Sequence, residues 1–234
     1  MEIVNAKVLI TGGSQGIGLE TARLLISKGA QVVICGRNRE HLEQAAMETN
    51  AIAITADVSN ENQVIDLIEK SKAAMGGLNV LINNAGYGYF NLLESIDIDA
   101  FRKLLETNVI GATLCAREAA KHFIQIQTGN IINIASTAAK SGFPSGTAYC
   151  ASKFALAALT ECWRAELRKY NIRVMQVNPS EVQTNFVINS GRDARPFNDT
   201  KLQATEIAHS ILSMLEMNDR GFITELTVFA TNPQ

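Results

Sequence analysis

The sequence predicts a doubly wound α/β domain: a parallel sheet of about seven strands with helices on both faces. Three observations lead there. Short apolar, β-rich runs alternate with longer helical patterns along the whole chain. The runs are apolar at consecutive positions, as strands buried on both faces must be. No repeat, linker or low-complexity segment interrupts the alternation.

The elements follow in order. AKVLI (6–10) reads as the first strand and leads to a helix from about Gly16 to Lys28. QVVIC (31–35) is the second strand, and a helix around Glu40–Thr49 carries the chain to AIAIT (51–55). A helix around Glu61–Met75 precedes LNVLINNAG (78–86). One long helical region, about Asp97–Gln127, precedes NIINIAS (130–136). A helix beginning near Tyr149 runs to about Tyr170, followed by IRVMQVNP (172–179). A last helix near Thr205–Met217 precedes GFITELTVFA (221–230). The polar stretch from about Asn185 to Leu202, with Gly191 and Pro196, breaks the rhythm beyond a strand end. Ligands of open α/β sheets bind beyond the carboxyl ends of strands, so this stretch is either a lid or a plain surface connection. The helix near Tyr149 is apolar almost all round: Phe154, Leu156, Ala157, Leu159, Cys162, Trp163 and Leu167 fit no narrow stripe. Such a helix is covered on two sides, by its own sheet and by a second subunit.

Composition sets bounds. Of 234 residues, 47% are hydrophobic and 19% charged, with net charge −2, the profile of one soluble globular domain. That balance offers no basic field for nucleic acid and no polybasic membrane anchor. No apolar run is long enough for a membrane span, and MEIVNAKVLITGG does not read as a signal peptide. Cys35, Cys115, Cys150 and Cys162 are scattered, without metal spacing, and read as reduced; His41, His122 and His209 read as surface residues. A cytoplasmic protein without metal is the expectation.

Three motifs carry chemistry. TGGSQGIG (11–18) sits between the first strand and first helix. Gly12, Gly16 and Gly18 there permit a tight turn, close approach to a pyrophosphate and close helix–strand packing, with free helix amides facing the anion. The alternative is a glycine turn without a ligand. ICGRN, at the end of the second strand, has Gly36 and Arg37 where an acid would hold the 2′-hydroxyl of NAD. The missing acid and the available guanidinium favour a 2′-phosphate, hence NADP(H), unless Arg37 is simply solvated. AYCASKF (148–154) places Tyr149 and Lys153 one helical turn apart, where an ammonium lowers the pKa of a phenol. An idle surface pair has the same spacing.

Taken with NNAG (83–86), ETNV (106–109) and Ser136, these motifs resemble the short-chain dehydrogenase/reductase family, in its order and spacing, over essentially the whole chain. Within it the chain is most similar to 3-oxoacyl-(acyl-carrier-protein) reductases and related carbonyl reductases. The resemblance implies a single-domain Rossmann fold spanning 1–234 with a substrate lid at about 185–202. It also implies a carbonyl reduced by hydride transfer from NADP(H), with dual use of NADH open, and a homodimer or homotetramer. Tyr149 would be the general acid, Lys153 would hold the nicotinamide ribose and lower the tyrosine's pKa, and Ser136 would bind the substrate oxygen. Alone, Ser136 would more often be a helix cap. Asn108 would hold a water linking Lys153 to solvent; without the resemblance it is a mildly unfavourable helix residue.

Cofactor contacts are implied for Gly12, Ser14, Gln15, Gly16, Ile17 and Gly18 in the glycine turn, and for Arg37. Asp57 would meet the adenine amino group with Val58 beside it, unless Asp57 is an N-cap. Asn83, Asn84, Ala85 and Gly86 would lie along the cofactor and brace the central sheet. Pro179, Val182 and Thr184, with Tyr149 and Lys153, would complete the nicotinamide end. Two departures stand out: Ser180 where glycine is frequent after Pro179, and Gln15 where NADP-preferring members often carry a basic residue. Tyr87, Tyr89, Phe90, Phe143, Phe186 and the segment 137–147 would line the pocket for a carbonyl substrate, free or linked to a carrier or coenzyme A. Arg192 and Arg195 would either meet an anionic carrier or coenzyme phosphate, or be solvated. A catalytically silent dinucleotide sensor is the main alternative; a sugar-nucleotide epimerase would need an added substrate domain.

Overall fold

The computed structural model describes residues 1–193 and 196–232. Seven strands form one sheet in the order β3-β2-β1-β4-β5-β6-β7, every neighbouring pair parallel. They are β1 (Lys7–Thr11), β2 (Gln31–Gly36), β3 (Ile52–Thr55), β4 (Val80–Asn83), β5 (Gly129–Ile134), β6 (Ile172–Pro179) and β7 (Glu225–Val228). The helices between them are α1 (Gly16–Ser27), α2 (Arg39–Thr49), α3 (Glu61–Met75), α4 (Ile98–Leu105), α5 (Ala112–Ile126) and α6 (Thr147–Leu167). The one-turn α7 (Phe186–Asn189) and α8 (Ala204–Glu216) lie between β6 and β7.

Strand periodicity divides the interior into two cores. Val8, Ile10, Val32 and Ile34 point to the side covered by Leu25 of α1, Leu42 of α2 and Ile207 and Ile211 of α8. Leu9, Val33 and Cys35 point to the other side, against Leu67 of α3, Phe123 of α5 and Leu167 of α6. Burial on both faces is why these strands are apolar without alternation. The strand order reverses between β1 and β4, and the crevice beyond their carboxyl ends is where the site forms.

Some expected boundaries move. β4 ends at Asn83 because the backbone amides of Asn84 and Ala85 both donate to the Thr11 side chain at 3.0 Å, leaving the ladder. β7 is shorter than 221–230, pairing with β6 only from Glu225 to Val228. The region read as one long helix is α4 and α5 joined through a π turn at Glu106–Gly111. α6 keeps one side on the protein, but Ala151, Phe154, Ala158, Cys162 and Ala165 form an exposed stripe of small and apolar residues along the other.

Candidate active site

The cleft over the switch point encloses about 1180 Å³ and runs from the exit of β2, past the glycine turn, to α6 and α7. At its centre the turn after β1 is clamped to the exit of β4. Asn84 Nδ2 donates to the carbonyls of Thr11 and Gly12 at 3.0 and 2.9 Å. Gly12 has φ +66°, and a Cβ there would lie 2.9 Å from the Ala85 Cα. A Cβ on Gly18 would fall 2.5 Å from the Gly12 carbonyl oxygen and 2.6 Å from Asn84 Nδ2. α1 has no side-chain cap, so its first amides stay open to an anion. The open amides at the start of α1 suit a pyrophosphate, and the close packing at Gly12 and Gly18 leaves no room there for a Cβ. Gly18→Ala is therefore expected to cost about 2–3 kcal/mol in urea unfolding and to weaken NADPH binding, since backbone rather than a flexible side chain must move.

Of the residues expected to touch cofactor, all but Gly18 and Asn83 line the cleft; Gly18 instead lets α1 pack on the turn. Arg37 lies at the β2 end with Asn38 and with His41, which the sequence alone presents only as a surface residue. Asp57 is not the cap of α3, which is Asn60; its Oδ1 accepts from the Ser59 amide and hydroxyl at 3.0 and 2.7 Å. Val58 packs beneath the π turn, where a Cβ on Gly111 would meet its Cγ2 at 2.8 Å.

At the other end, α6 presents Tyr149 and Lys153, both buried. Lys153 Nζ donates to the Ile134 carbonyl at 2.8 Å and lies 5.8 Å from the centre of the Tyr149 ring. Ser136 Oγ accepts from the Ala138 amide at 3.1 Å, which caps a short turn, and donates to the Pro179 carbonyl at 3.5 Å; it lines the cleft together with Tyr149. The expected lowering of the tyrosine's pKa is not found. Burial among Phe90 and Phe186 pushes the Tyr149 phenol up to about 12, against the opposing pull of the Ser136 hydrogen bond and the Arg192 charge. Burial also pushes Lys153 down to about 8.

Asn108 sits in the π turn, fully turned inward. Its Nδ2 donates to the Tyr87 carbonyl at 2.9 Å and to Ser152 Oγ at 3.2 Å, and Oδ1 accepts from the Tyr87 amide at 3.1 Å. Ser152 in turn donates to the Tyr149 carbonyl at 2.7 Å. Ser152 thus ties the β4 exit to the first turn of α6, a role its place between Tyr149 and Lys153 does not advertise. Asn83 is a brace, donating to the Ala112 carbonyl and to Asn133 Oδ1 at 3.1 and 3.0 Å.

The side facing Tyr149 is lined by Tyr87, Phe90, Phe143 and Phe186. Tyr89 does not line it; its hydroxyl accepts from the Asp97 amide at 2.7 Å, at the start of α4. Gln15 and the segment after β6 meet where Asn185 Nδ2 donates to Gln15 Oε1 at 3.1 Å. Ser180 is not among the described residues with positive φ, so its departure from glycine carries no backbone strain. Arg192 lines the cleft, whereas Arg195 lies outside the described residues. Among the described residues no group of histidine, cysteine and carboxylate side chains could hold a metal, and no helix is long and apolar enough to cross a membrane.

Comparison with known proteins agrees with this geometry. The family model for short chain dehydrogenase matches residues 6–195. Dehydrogenase/reductase SDR family member 7B of Bos taurus is 32% identical over 197 residues, which is 80% of this chain and 61% of that protein. This chain therefore spans less than two thirds of the bovine relative. An uncharacterized oxidoreductase of Staphylococcus aureus strain USA300 is 30% identical over 232 residues, 97% of this chain and 99% of that one. The solved structure of ElxO with NADP bound superposes with a TM-score of 0.83 at 29% identity, over 94% of this chain and 95% of that one. A 3-ketoacyl-(acyl-carrier-protein) reductase from Brucella melitensis, complexed with NADH, superposes with a TM-score of 0.88 at 27% identity, over 96% of each chain.

Proposed function

We propose that this chain, which belongs to the short chain dehydrogenase family, is an oxidoreductase that reduces a carbonyl to an alcohol with NADP(H), using Tyr149 as general acid. The observation carrying the reading is a buried phenol that lines one end of the cleft with Ser136, while the glycine turn and the open amides of α1 lie at its centre. A phenol pushed up to about 12 stays protonated at neutral pH and gives up its proton only as charge grows on a neighbouring oxygen. The Ser136 hydroxyl supplies a second hydrogen bond to that oxygen. Lys153 spends one donor on Ile134, which leaves two of its three N–H groups for ribose hydroxyls. The bound dinucleotide supplies the hydride. Gly12, Gly16 and Ile17 would hold its pyrophosphate, Asp57 and Val58 its adenine, and Thr184 its carboxamide end.

Arg37 supports NADP(H) over NAD(H), because no carboxylate stands at the tip of β2 to repel a 2′-phosphate. Arg37→Ala is expected to lower kcat/KM for NADPH by about thirtyfold and leave that for NADH within twofold, as charge-assisted pairing with the phosphate is lost. A similar loss with both cofactors would remove Arg37 from this role.

Two substrate classes follow from separate observations. Likeness to a 3-ketoacyl-(acyl-carrier-protein) reductase supports a 3-oxoacyl thioester. The ring-lined mouth beside Tyr149 supports a compact ketone. The segment 185–202 acts as the lid over either one, held to the glycine turn through Asn185 and Gln15. The exposed stripe on α6 supports a homodimer or homotetramer, and the free cysteines suit a cytoplasmic setting. The deciding assay is NADPH oxidation with an acetoacetyl thioester beside a panel of ketones and aldehydes. Tight NADPH binding with no turnover across the panel would favour a dinucleotide sensor instead.

A further inference from the structure

Four aromatic rings meet at the substrate end of the cleft. Phe90 lies 5.3 Å from Tyr149 and 6.1 Å from Phe143, centre to centre, and Phe186 lies 5.5 Å from Tyr149. Two glycines seat them. A Cβ on Gly88 would come within 2.4 Å of the Phe90 ring, and one on Gly146 within 2.7 Å of the Phe143 ring. The rings line the cleft and are tilted to one another, Phe90 by 53° to Tyr149 and Phe186 by 58°, so they form an apolar wall on which an aryl group packs offset or edge to face.

Arg192 stands at the mouth, with its guanidinium carbon 4.2 Å from the centre of the Phe90 ring. Its backbone amide donates to the Val187 carbonyl at 3.2 Å, and Nε donates to Ser190 Oγ at 3.1 Å. The Ser190 hydroxyl is itself bonded to the Val187 carbonyl at 2.7 Å. This fixes the plane of the guanidinium and leaves its paired terminal nitrogens for another partner. Among the described residues Arg192 makes no ion pair. Glu181, which also lines the cleft, is bridged to Lys201 at 2.9 Å.

We infer that the compact ketone accepted here is an aryl ketone carrying a carboxylate, its ring packed on the cleft wall formed by Phe90, Phe143 and Phe186 and its carboxylate paired with Arg192. Because the guanidinium sits on Phe90 and Phe90 sits beside Tyr149, the cation lies within about 10 Å of the phenol ring. That reach suits an anion a few bonds from the carbonyl. The phosphate of a carrier or coenzyme stands at the end of a long arm, well outside the mouth. Arg192 also adds to the field at Tyr149, and a neighbouring carboxylate would temper it.

The inference rests on the reductase reading, and the test separates the two. Binding of 4-acetylbenzoate, its methyl ester and 4-acetylcyclohexanecarboxylate is measured by calorimetry on the NADP⁺-loaded protein, and their reduction is followed with NADPH. The acid is expected to bind about tenfold tighter than the ester, and Arg192→Met should abolish that preference without changing ester binding by more than twofold. Arg192→Lys should keep part of it, having charge without the fork. The cyclohexane acid should bind several-fold weaker than the aryl acid. Equal binding of acid and ester, or a preference that survives in Arg192→Met, overturns the Arg192 assignment. Equal binding of the two acids overturns the packing of an aryl ring on that wall. Selective acid binding with no reduction of any ketone upholds the inference and removes the reductase reading. Thioester turnover without acid preference does the reverse.

Discussion

Tyr149→Phe is expected to lower kcat/KM for any ketone substrate by about three orders of magnitude while NADPH affinity stays within twofold. The change removes one oxygen from a ring whose position is set by packing. Tyr149 is 8% exposed, and Phe90 and Phe186 hold its ring from two sides, so phenylalanine occupies the same volume. The Ser136 hydroxyl and the glycine cradle are untouched. What disappears is the only group at that position able to give a proton to the carbonyl oxygen. Steady-state kinetics with fluorescence titration of NADPH distinguish this from general damage. A loss of less than tenfold would move the acid elsewhere, and Ser136 would be the next residue to test.

Lys153→Met should inactivate the enzyme to a similar extent and yet make the folded chain more stable. The ammonium is buried, and burial lowers its pKa from 10.5 to about 8. Folding at pH 7 must therefore bury a charge, at a cost on the order of 3 kcal/mol. Methionine fills the stem's space without that cost, and losing the donor to the Ile134 carbonyl gives back about 1 kcal/mol. A rise of several degrees in Tm at pH 7 follows. The pH dependence has a definite sign. Between pH 8 and 10.5 the unfolded lysine binds more protons than the folded one, so wild-type stability climbs across that window, and the methionine variant lacks this climb. Above pH 10 the raised Tyr149 works in the opposite direction, since only the unfolded phenol then ionises readily. Thermal melts from pH 6 to 10 read the lysine effect before the tyrosine sets in. A lower Tm for Lys153→Met at pH 7 would mean that the ammonium is a net stabiliser through its hydrogen bond.

The sheet was legible because its chemistry is simple. Val8 to Ile10 and Val32 to Cys35 are apolar on both faces, and only a strand covered on each side needs that. The glycine turn was legible through steric exclusion, since at Gly18 a single methyl already collides with backbone. Effects that depend on tertiary surroundings were not. Helical spacing put Tyr149 beside Lys153, but spacing says nothing about the phenylalanines that dehydrate the phenol and reverse its shift. Ser152 looked like a small spacer, yet its hydroxyl joins Asn108 to the Tyr149 backbone. The π turn was equally invisible. Leu104, Asn108, Ala112, Cys115 and Ala119 keep a plausible helical stripe across it, so periodicity gives no sign of the break.

That turn makes chain length itself a variable of the site. A π turn is an α-helix carrying one surplus residue. Deleting a single residue between Glu106 and Gly111 would leave a continuous helix, with little lost in backbone hydrogen bonding. It would also rotate the part before the deletion by about 100° relative to the part after it. Asn108 would then swing away from Tyr87 and Ser152 although every residue of the catalytic set was still present. A relative with the same motifs but one residue fewer here would keep the signature on paper and lose the brace in space.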